Sequence, residues 1–181
     1  EIKLDKIRID IKYVKGENEV DLEMLQNEDK DFNESIFKTK NQKFLCVREQ
    51  EKMSKSKFNV VNPDEICNQY GADTLRMYEM FLGPIEQSKP WDTRGISGVH
   101  SFLKKFWNLF FNEDGIKISD EEPSKESLKT LHKTIKKVSE DIERLSLNTC
   151  ISSFMICINE LSSINCNNKH ILEKLLILIS P

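Results

Sequence analysis

The stretch Glu51-Lys52-Met53-Ser54-Lys55-Ser56-Lys57, followed by Phe58-Asn59-Val60-Val61-Asn62-Pro63-Asp64, sets the reading of the whole chain. Before it lies a short apolar–polar alternation. After it the apolar residues recur at helical spacing almost to the end. The stretch itself is polar and carries Lys52, Lys55 and Lys57, with the hydroxyls of Ser54 and Ser56 between them. Lysine ammonium groups stay charged at neutral pH and act as mobile point charges for phosphate oxygens. Serine hydroxyls donate hydrogen bonds to the same oxygens. No glycine cradle or helix N-terminus surrounds them, so the pattern is not a P-loop. A generic Lys/Ser run is a solvated loop; this one reads as a loop that closes over a polyphosphate.

Working outward on the C-terminal side, Asn62-Pro63-Asp64-Glu65 has the form of a helix start, with Asn as cap, Pro in the first turn and Glu three residues after the cap. That helix should end at Tyr70, stopped by Gly71. A second runs from about Ala72 through Leu75, Tyr78, Met80, Phe81 and Leu82 to Gly83-Pro84. Ile85 to Thr93 is a loop containing Pro90-Trp91, in which Trp91 suits packing better than base stacking. The next helix, about Thr93–Phe111, should bury Val99, Phe102, Leu103, Phe106 and Phe110. Asn112 to Pro123 is a polar linker, and Ser124 caps a helix whose Leu128, Leu131, Ile135, Val138, Ile142 and Leu145 alternate by three and four residues. Asn148 is expected to cap an apolar helix through Ile151, Phe154, Met155, Ile158, Leu161 and Ile164, and Asn167 or Asn168 the last one. Successive apolar helices favour a bundle over a coiled coil.

On the N-terminal side, Ile7, Ile9, Ile11 and Tyr13 alternate with Arg8, Asp10 and Lys12, which predicts a half-buried strand. Gly16-Glu17-Asn18 reads as a turn, Asp21–Gln26 as a short helix, and Lys43–Glu49 as a second strand entering the lysine loop. The fold class is therefore mainly α with a small N-terminal β element: a small α+β portion followed by an antiparallel helical bundle.

The chain of 181 residues is 38% hydrophobic and 31% charged, enough for a packed core. A net charge of −3 argues against wholesale nucleic-acid wrapping and confines any RNA contact to local patches. The 5 cysteines form no C-x-x-C pair and no metal spacing, and suit reduced thiols in a cytoplasmic protein. His100, His132 and His170 stand apart, so no metal site is expected. No apolar run approaches the roughly 18 residues of a membrane span, and no membrane partner is expected. Glu1 begins in a charged stretch without Met, and Ile171, Leu172, Leu175, Leu176 and Ile179 still offer an apolar face as the chain stops at Pro181. These ends read as those of a piece of a longer enzyme.

Lys52-Met53-Ser54-Lys55-Ser56 resembles the lysine loop of class I aminoacyl-tRNA synthetases. Tyr70-Gly71-Ala72-Asp73-Thr74-Leu75-Arg76, Pro90-Trp91-Asp92 and Phe102-Leu103-Lys104-Lys105-Phe106-Trp107-Asn108 extend the resemblance, which is strongest to bacterial-type leucyl-tRNA synthetases. Lys57-Phe58-Asn59 marks the leucyl type, where isoleucyl and valyl relatives more often have Leu-Gly-Asn.

The resemblance implies three regions. Residues 1–50 would be a small inserted, leucine-specific-type domain. Residues 51–93 would be the loop and connector helices, and 94–181 a truncated bundle of the anticodon-binding type. It implies ATP-dependent activation of leucine and transfer to tRNA(Leu), with ATP and Mg²⁺ used by a monomeric parent. Lys55 would stabilise charge building between the α- and β-phosphates, assisted by Lys52. Each such donor is typically worth about 3–4 kcal/mol. Met53 would anchor the loop, and Ser54 and Ser56 would hold its closed shape.

Transfer-RNA contacts fall, on the same resemblance, to Trp91, Arg94, Lys104, Lys105, Lys133, Lys136 and Lys137. No His-x-Gly-His motif, Rossmann core or editing domain is present, so the piece should not catalyse alone. An isoleucyl or valyl piece and a non-catalytic helical RNA-binding module are the alternatives. With three lysines so close, Glu51–Phe58 is expected to lack any counter-charge but the polyphosphate, and so to be loosely held.

Overall fold

The computed structural model describes residues 6–39, 41 and 43–180. Glu1 and Pro181, on which the reading of the chain ends rests, lie outside them. The chain forms two compact units, Glu1–Asn62 and Pro63–Pro181.

In the first unit the expected strand Ile7–Tyr13 does not form. Ile11–Tyr13 is instead a single 3₁₀ turn, capped by the Asp10 carboxylate, which accepts from the Lys12 N–H at 3.0 Å. Alternation made the segment look extended, but an Asp side chain that satisfies the backbone locally competes with a ladder. The pairing moves downstream to β1 (Val14–Lys15) and β2 (Glu19–Val20), an antiparallel hairpin around Gly16 at φ +58°. The predicted strand Lys43–Glu49 reduces to isolated bridge positions at Lys43 and Leu45, the latter opposite Glu19 and flanked by bonds from Val20 N to Phe44 O and from Cys46 N to Asn18 O. Helix α1 (Leu22–Glu28) follows its Asp21 cap, close to the expected Asp21–Gln26. Tyr13, Val20 and Leu25 are buried, with Phe32, Phe37 and Phe44 packed against them.

The second unit is helical. Helix α2 (Pro63–Tyr70) ends at Gly71, whose φ of +88° suits glycine, and α3 (Ala72–Phe81) follows at once. Helix α4 (Ile96–Phe110) runs into a hairpin not foreseen from the sequence, β3 (Phe111–Asn112) with β4 (Gly115–Ile116). Helices α5 (Lys125–Glu143), α6 (Leu147–Ser163) and α7 (Lys169–Ile179) complete it. Ser124 and Asn168 cap α5 and α7 as expected. Asn148 does not cap α6; the helix starts one residue earlier, leaving Asn148 inside its first turn.

The links into and out of α6 share one device. Ser146 N bonds Asp141 O and Leu145 N bonds Ile142 O, with Leu145 at φ +55°. After α6, Cys166 N bonds Leu161 O and Asn165 N bonds Ser162 O, with Asn165 at φ +49°. Both are Schellman closures. Asn tolerates the left-handed conformation; Leu145 adopts it at a cost of about 1–2 kcal/mol. These tight turns reverse the chain at each end of α6 and set it against α5.

The core gathers Phe102 and Leu109 of α4, Leu131 and Val138 of α5, Phe154, Ile158 and Leu161 of α6, and Leu172 and Leu175 of α7. The buried stripe of α5 differs from the apolar repeat. Ile142 and Leu145 are 44% and 58% exposed, whereas Ser127, Thr130, Thr134 and Asp141 are buried. Small hydroxyl residues let α5 approach its neighbours closely, and each is satisfied: Thr130 Oγ1 donates to Glu160 Oε2 and Thr134 Oγ1 to Thr130 O, both at 2.9 Å.

Candidate phosphate-binding loop

The lysine loop belongs to the first unit and is built around two side chains that flank it. Lys55–Lys57 forms a single 3₁₀ turn, closed by Phe58 N bonding Lys55 O. Phe58 then reverses the chain at φ +55°, a conformation bulky residues rarely take and one that concentrates at functional sites. The Asn59 side chain reaches back across the loop. Its Oδ1 accepts from the Ser54 N–H at 2.9 Å and its Nδ2 donates to Lys52 O at 3.4 Å. Ser54 and Ser56 hydroxyls lie 3.1 Å apart. They bond each other. Met53 is 44% exposed.

At the base stands Glu51. Arg8 grips it with two hydrogen bonds, Nη1 to Oε2 at 2.5 Å and Nη2 to Oε1 at 3.1 Å, and Lys57 Nζ lies 3.2 Å from the same Oε2. The expectation that polyphosphate alone would neutralise the loop is therefore corrected: the loop carries its own counter-charge. Lys57 is spent on it. Lys52 and Lys55 are exposed, and among the described residues neither makes an ion pair. Two of the three ammonium groups are thus free to meet an anion.

The hydrogen bonds from Arg8, and then those from Lys57, hold the Glu51 carboxyl far below its ordinary value of 4.5, at about 2. Its folded value is depressed, so its contribution to stability is complete above about pH 4.5. That contribution fades as the pH falls toward about 2. A carbon-detected NMR titration should find the Glu51 midpoint near 2, rising toward the ordinary value in Arg8→Gln; an ordinary midpoint in the unaltered protein would contradict the grip.

The residues singled out for RNA lie in the second unit and do not form one patch through shared partners. Trp91 packs edge-on against Tyr78, with ring centres 5.3 Å apart, and donates to Thr93 Oγ1 at 2.9 Å. Arg94 is turned back onto Asp92 through two bonds of 3.0 Å. Lys104 is exposed, while Lys105 reaches Asn159 Oδ1 on α6 at 2.7 Å. On α5, Lys137 is bound at 2.5 Å to Asp141, a buried carboxylate whose other oxygen has no partner. Lys136 lies 4.0 Å from Glu140, and Lys133 is exposed. Lys105 also lines a cavity of about 440 Å³ with Asn108, Lys117, Ser162 and Asn165 among its walls and no acidic residue. Sequence spacing gave no sign of Lys117 there, because the β3–β4 hairpin delivers it.

Each of the five cysteines is a free thiol, and burial pushes Cys150 and Cys157 upward, away from thiolate reactivity. Among the described residues no helix is long and apolar enough to cross a membrane.

Comparison with known proteins bears on this geometry. The family model described as tRNA synthetases class I (I, L, M and V) matches residues 28–92, which include the loop. The chain is 58% identical over 177 residues to a leucine–tRNA ligase of Flavobacterium johnsoniae, covering 97% of this chain and 18% of that protein. It is 60% identical over 166 residues to that of Flavobacterium psychrophilum, covering 91% and 17%. Among solved structures it is similar to the LeuRS chain of the Agrobacterium radiobacter K84 agnB2 LeuRS-tRNA-LeuAMS ternary complex, with a TM-score of 0.56 and 25% identity. That match covers 70% of this chain and 18% of that one. The chain thus spans less than a fifth of the length of these relatives.

Proposed function

We propose that the chain belongs to the class I tRNA synthetases of the leucine type and supplies the phosphate-facing loop and part of the tRNA-binding surface of a leucine–tRNA ligase. The observation that carries this is the loop itself, pinned at its base by Glu51 and Asn59 with Lys52 and Lys55 exposed and unpaired.

The full-length enzyme joins the leucine carboxylate to the α-phosphate of ATP, releasing pyrophosphate, and then passes the leucyl group to tRNA(Leu). Negative charge builds on the bridging oxygen between the α- and β-phosphates as that bond breaks. Lys55 meets this charge and Lys52 supports it. Donors already in place cost no reorganisation at the moment of reaction. Ser54 and Ser56 hold the turn, and Met53, exposed at the tip, meets surfaces the chain does not contain. Mg²⁺ accompanies ATP in such chemistry. Among the described residues no group of three or more His, Cys, Asp and Glu could hold a metal ion.

Residues 1–50 correspond in this reading to an inserted domain, 51–93 to the loop and connector, and 94–181 to an anticodon-binding-type bundle. Helix α4 with Lys104 and Lys105, helix α5 with Lys133 and Lys136, and the Trp91–Arg94 corner face tRNA. The parent works in the cytoplasm as a monomer. The chain contributes one wall of the catalytic site and by itself activates nothing. The relatives, at 52–60% identity, are leucine–tRNA ligases and do not favour an isoleucyl or valyl assignment. The test is charging: the full-length protein with ATP, Mg²⁺, labelled leucine and bulk tRNA should yield acid-precipitable leucyl-tRNA. Label that enters tRNA equally well from isoleucine or valine would overturn the assignment.

A further inference from the structure

Both ends of the lysine loop are tied to one short segment of chain more than forty residues upstream. At the entry, Arg8 holds Glu51 in a two-pronged grip. At the exit, Ile11 N–H donates to Phe58 O at 3.3 Å. Lys57 closes the ring by sharing Glu51 Oε2 with Arg8. The Glu51 side chain is only 24% exposed, against 51% for Arg8 and 35% for Lys57, so the shared carboxylate is the best shielded member.

Isolated surface ion pairs contribute little. A bidentate arginine–carboxylate contact shared with a second cation is the geometry in which they do contribute. Three lysines within six positions repel one another, and removing one from that set lowers the cost of holding the other two together. The loop therefore has a fixed base, with Lys57 neutralised, and a tip where Lys52 and Lys55 keep their charge free.

We propose that Glu51 is a positioning residue for the lysine loop: clamped by Arg8, it neutralises Lys57 and sets the loop base so that Lys52 and Lys55 are presented to the polyphosphate. This rests on the reading of the loop as a polyphosphate site. Glu51 touches no substrate, and its effect passes through the lysines. Preorganised charge acts on the transition state more than on bound ATP, so the clamp supports kcat and leaves the KM for ATP nearly unchanged. Arg8 belongs to the same device despite its distance in sequence. The neighbouring pair Lys6–Glu49, 2.7 Å apart, feels the charges of Arg8 and Glu51 but bonds neither of them, and serves as a control for charge without the grip.

The experiment compares Glu51→Gln, Arg8→Gln, the double variant and Lys6→Gln in the full-length enzyme, by leucine-dependent ATP–pyrophosphate exchange. Each single variant should lose about tenfold in kcat with the KM for ATP within about twofold. The double variant should lose no more than either single one, because both break one clamp. Lys6→Gln should match the unaltered enzyme. In parallel, limited trypsin digestion at Lys52, Lys55 and Lys57 should be about tenfold faster in the Glu51 and Arg8 variants only, which reads the clamp without catalysis. Three results would each overturn the proposal: wild-type kcat in both single variants, a double-variant loss equal to the product of the singles, or a loss confined to the KM for ATP. An unaltered enzyme that shows no leucine-dependent exchange would overturn the functional reading and Glu51's role in it, and the trypsin arm would still report whether the clamp exists.

Discussion

Replacement of Lys55 by Ala in the full-length enzyme should slow leucine-dependent pyrophosphate exchange by about two to three orders of magnitude, the loss expected for one preorganised donor at developing charge. Lys55 sits at the start of the 3₁₀ turn at the loop tip, exposed and without an ion-pair partner among the described residues. Lys55 closes the turn through its backbone carbonyl, which Ala keeps, and the base is held by Glu51 and Asn59. The loss should therefore fall on the chemical step, with ATP binding weakened only modestly. Lys52→Ala should lose less. Near wild-type exchange in Lys55→Ala would remove the loop from the chemistry.

The second large effect is on stability and separates two residues that the apolar repeat of α5 treats alike. Leu131 is 1% exposed and Ile142 is 44% exposed. Leu131→Ala removes buried methyl groups from a close-packed core and should cost about 2–5 kcal/mol. Ile142→Ala removes groups already half in water and should cost less than about 1 kcal/mol. Chemical denaturation of the chain, with matched slopes, reads the difference. Equal losses would mean that α5 presents the face its repeat suggests.

What was legible depended on whether the deciding contact lay close in sequence. Pro63 and Gly71 bound a helix by local chemistry, and α2 runs between them. Ser124 and Asn168 were legible as caps for the same reason. The alternation of Ile7 to Tyr13 misled because a strand needs a partner, and Asp10 satisfied the backbone first. β1 and β2, two residues each, are too short to leave a periodic signal. In α5 the six-member repeat located the helix but misplaced part of its buried face, since Thr130, Thr134 and Asp141 are buried while Ile142 and Leu145 are exposed.

The loop was the most legible part of the site, because its chemistry resides in consecutive residues. Its support was not. Arg8 lies forty-three positions before Glu51, and nothing in the spacing pairs them. The lysines of α4 and α5 were visible as charges, yet their engagements with Asn159 and Asp141 needed the folded neighbours.

The most direct measurement is amino-acid-dependent ATP–pyrophosphate exchange by the unaltered full-length enzyme, with leucine, isoleucine and valine offered separately. Exchange driven by leucine, and weaker by orders of magnitude with isoleucine or valine, is the expected result; exchange driven comparably by isoleucine or valine, or none with any of the three, would contradict a leucine-activating role for the protein that carries this loop.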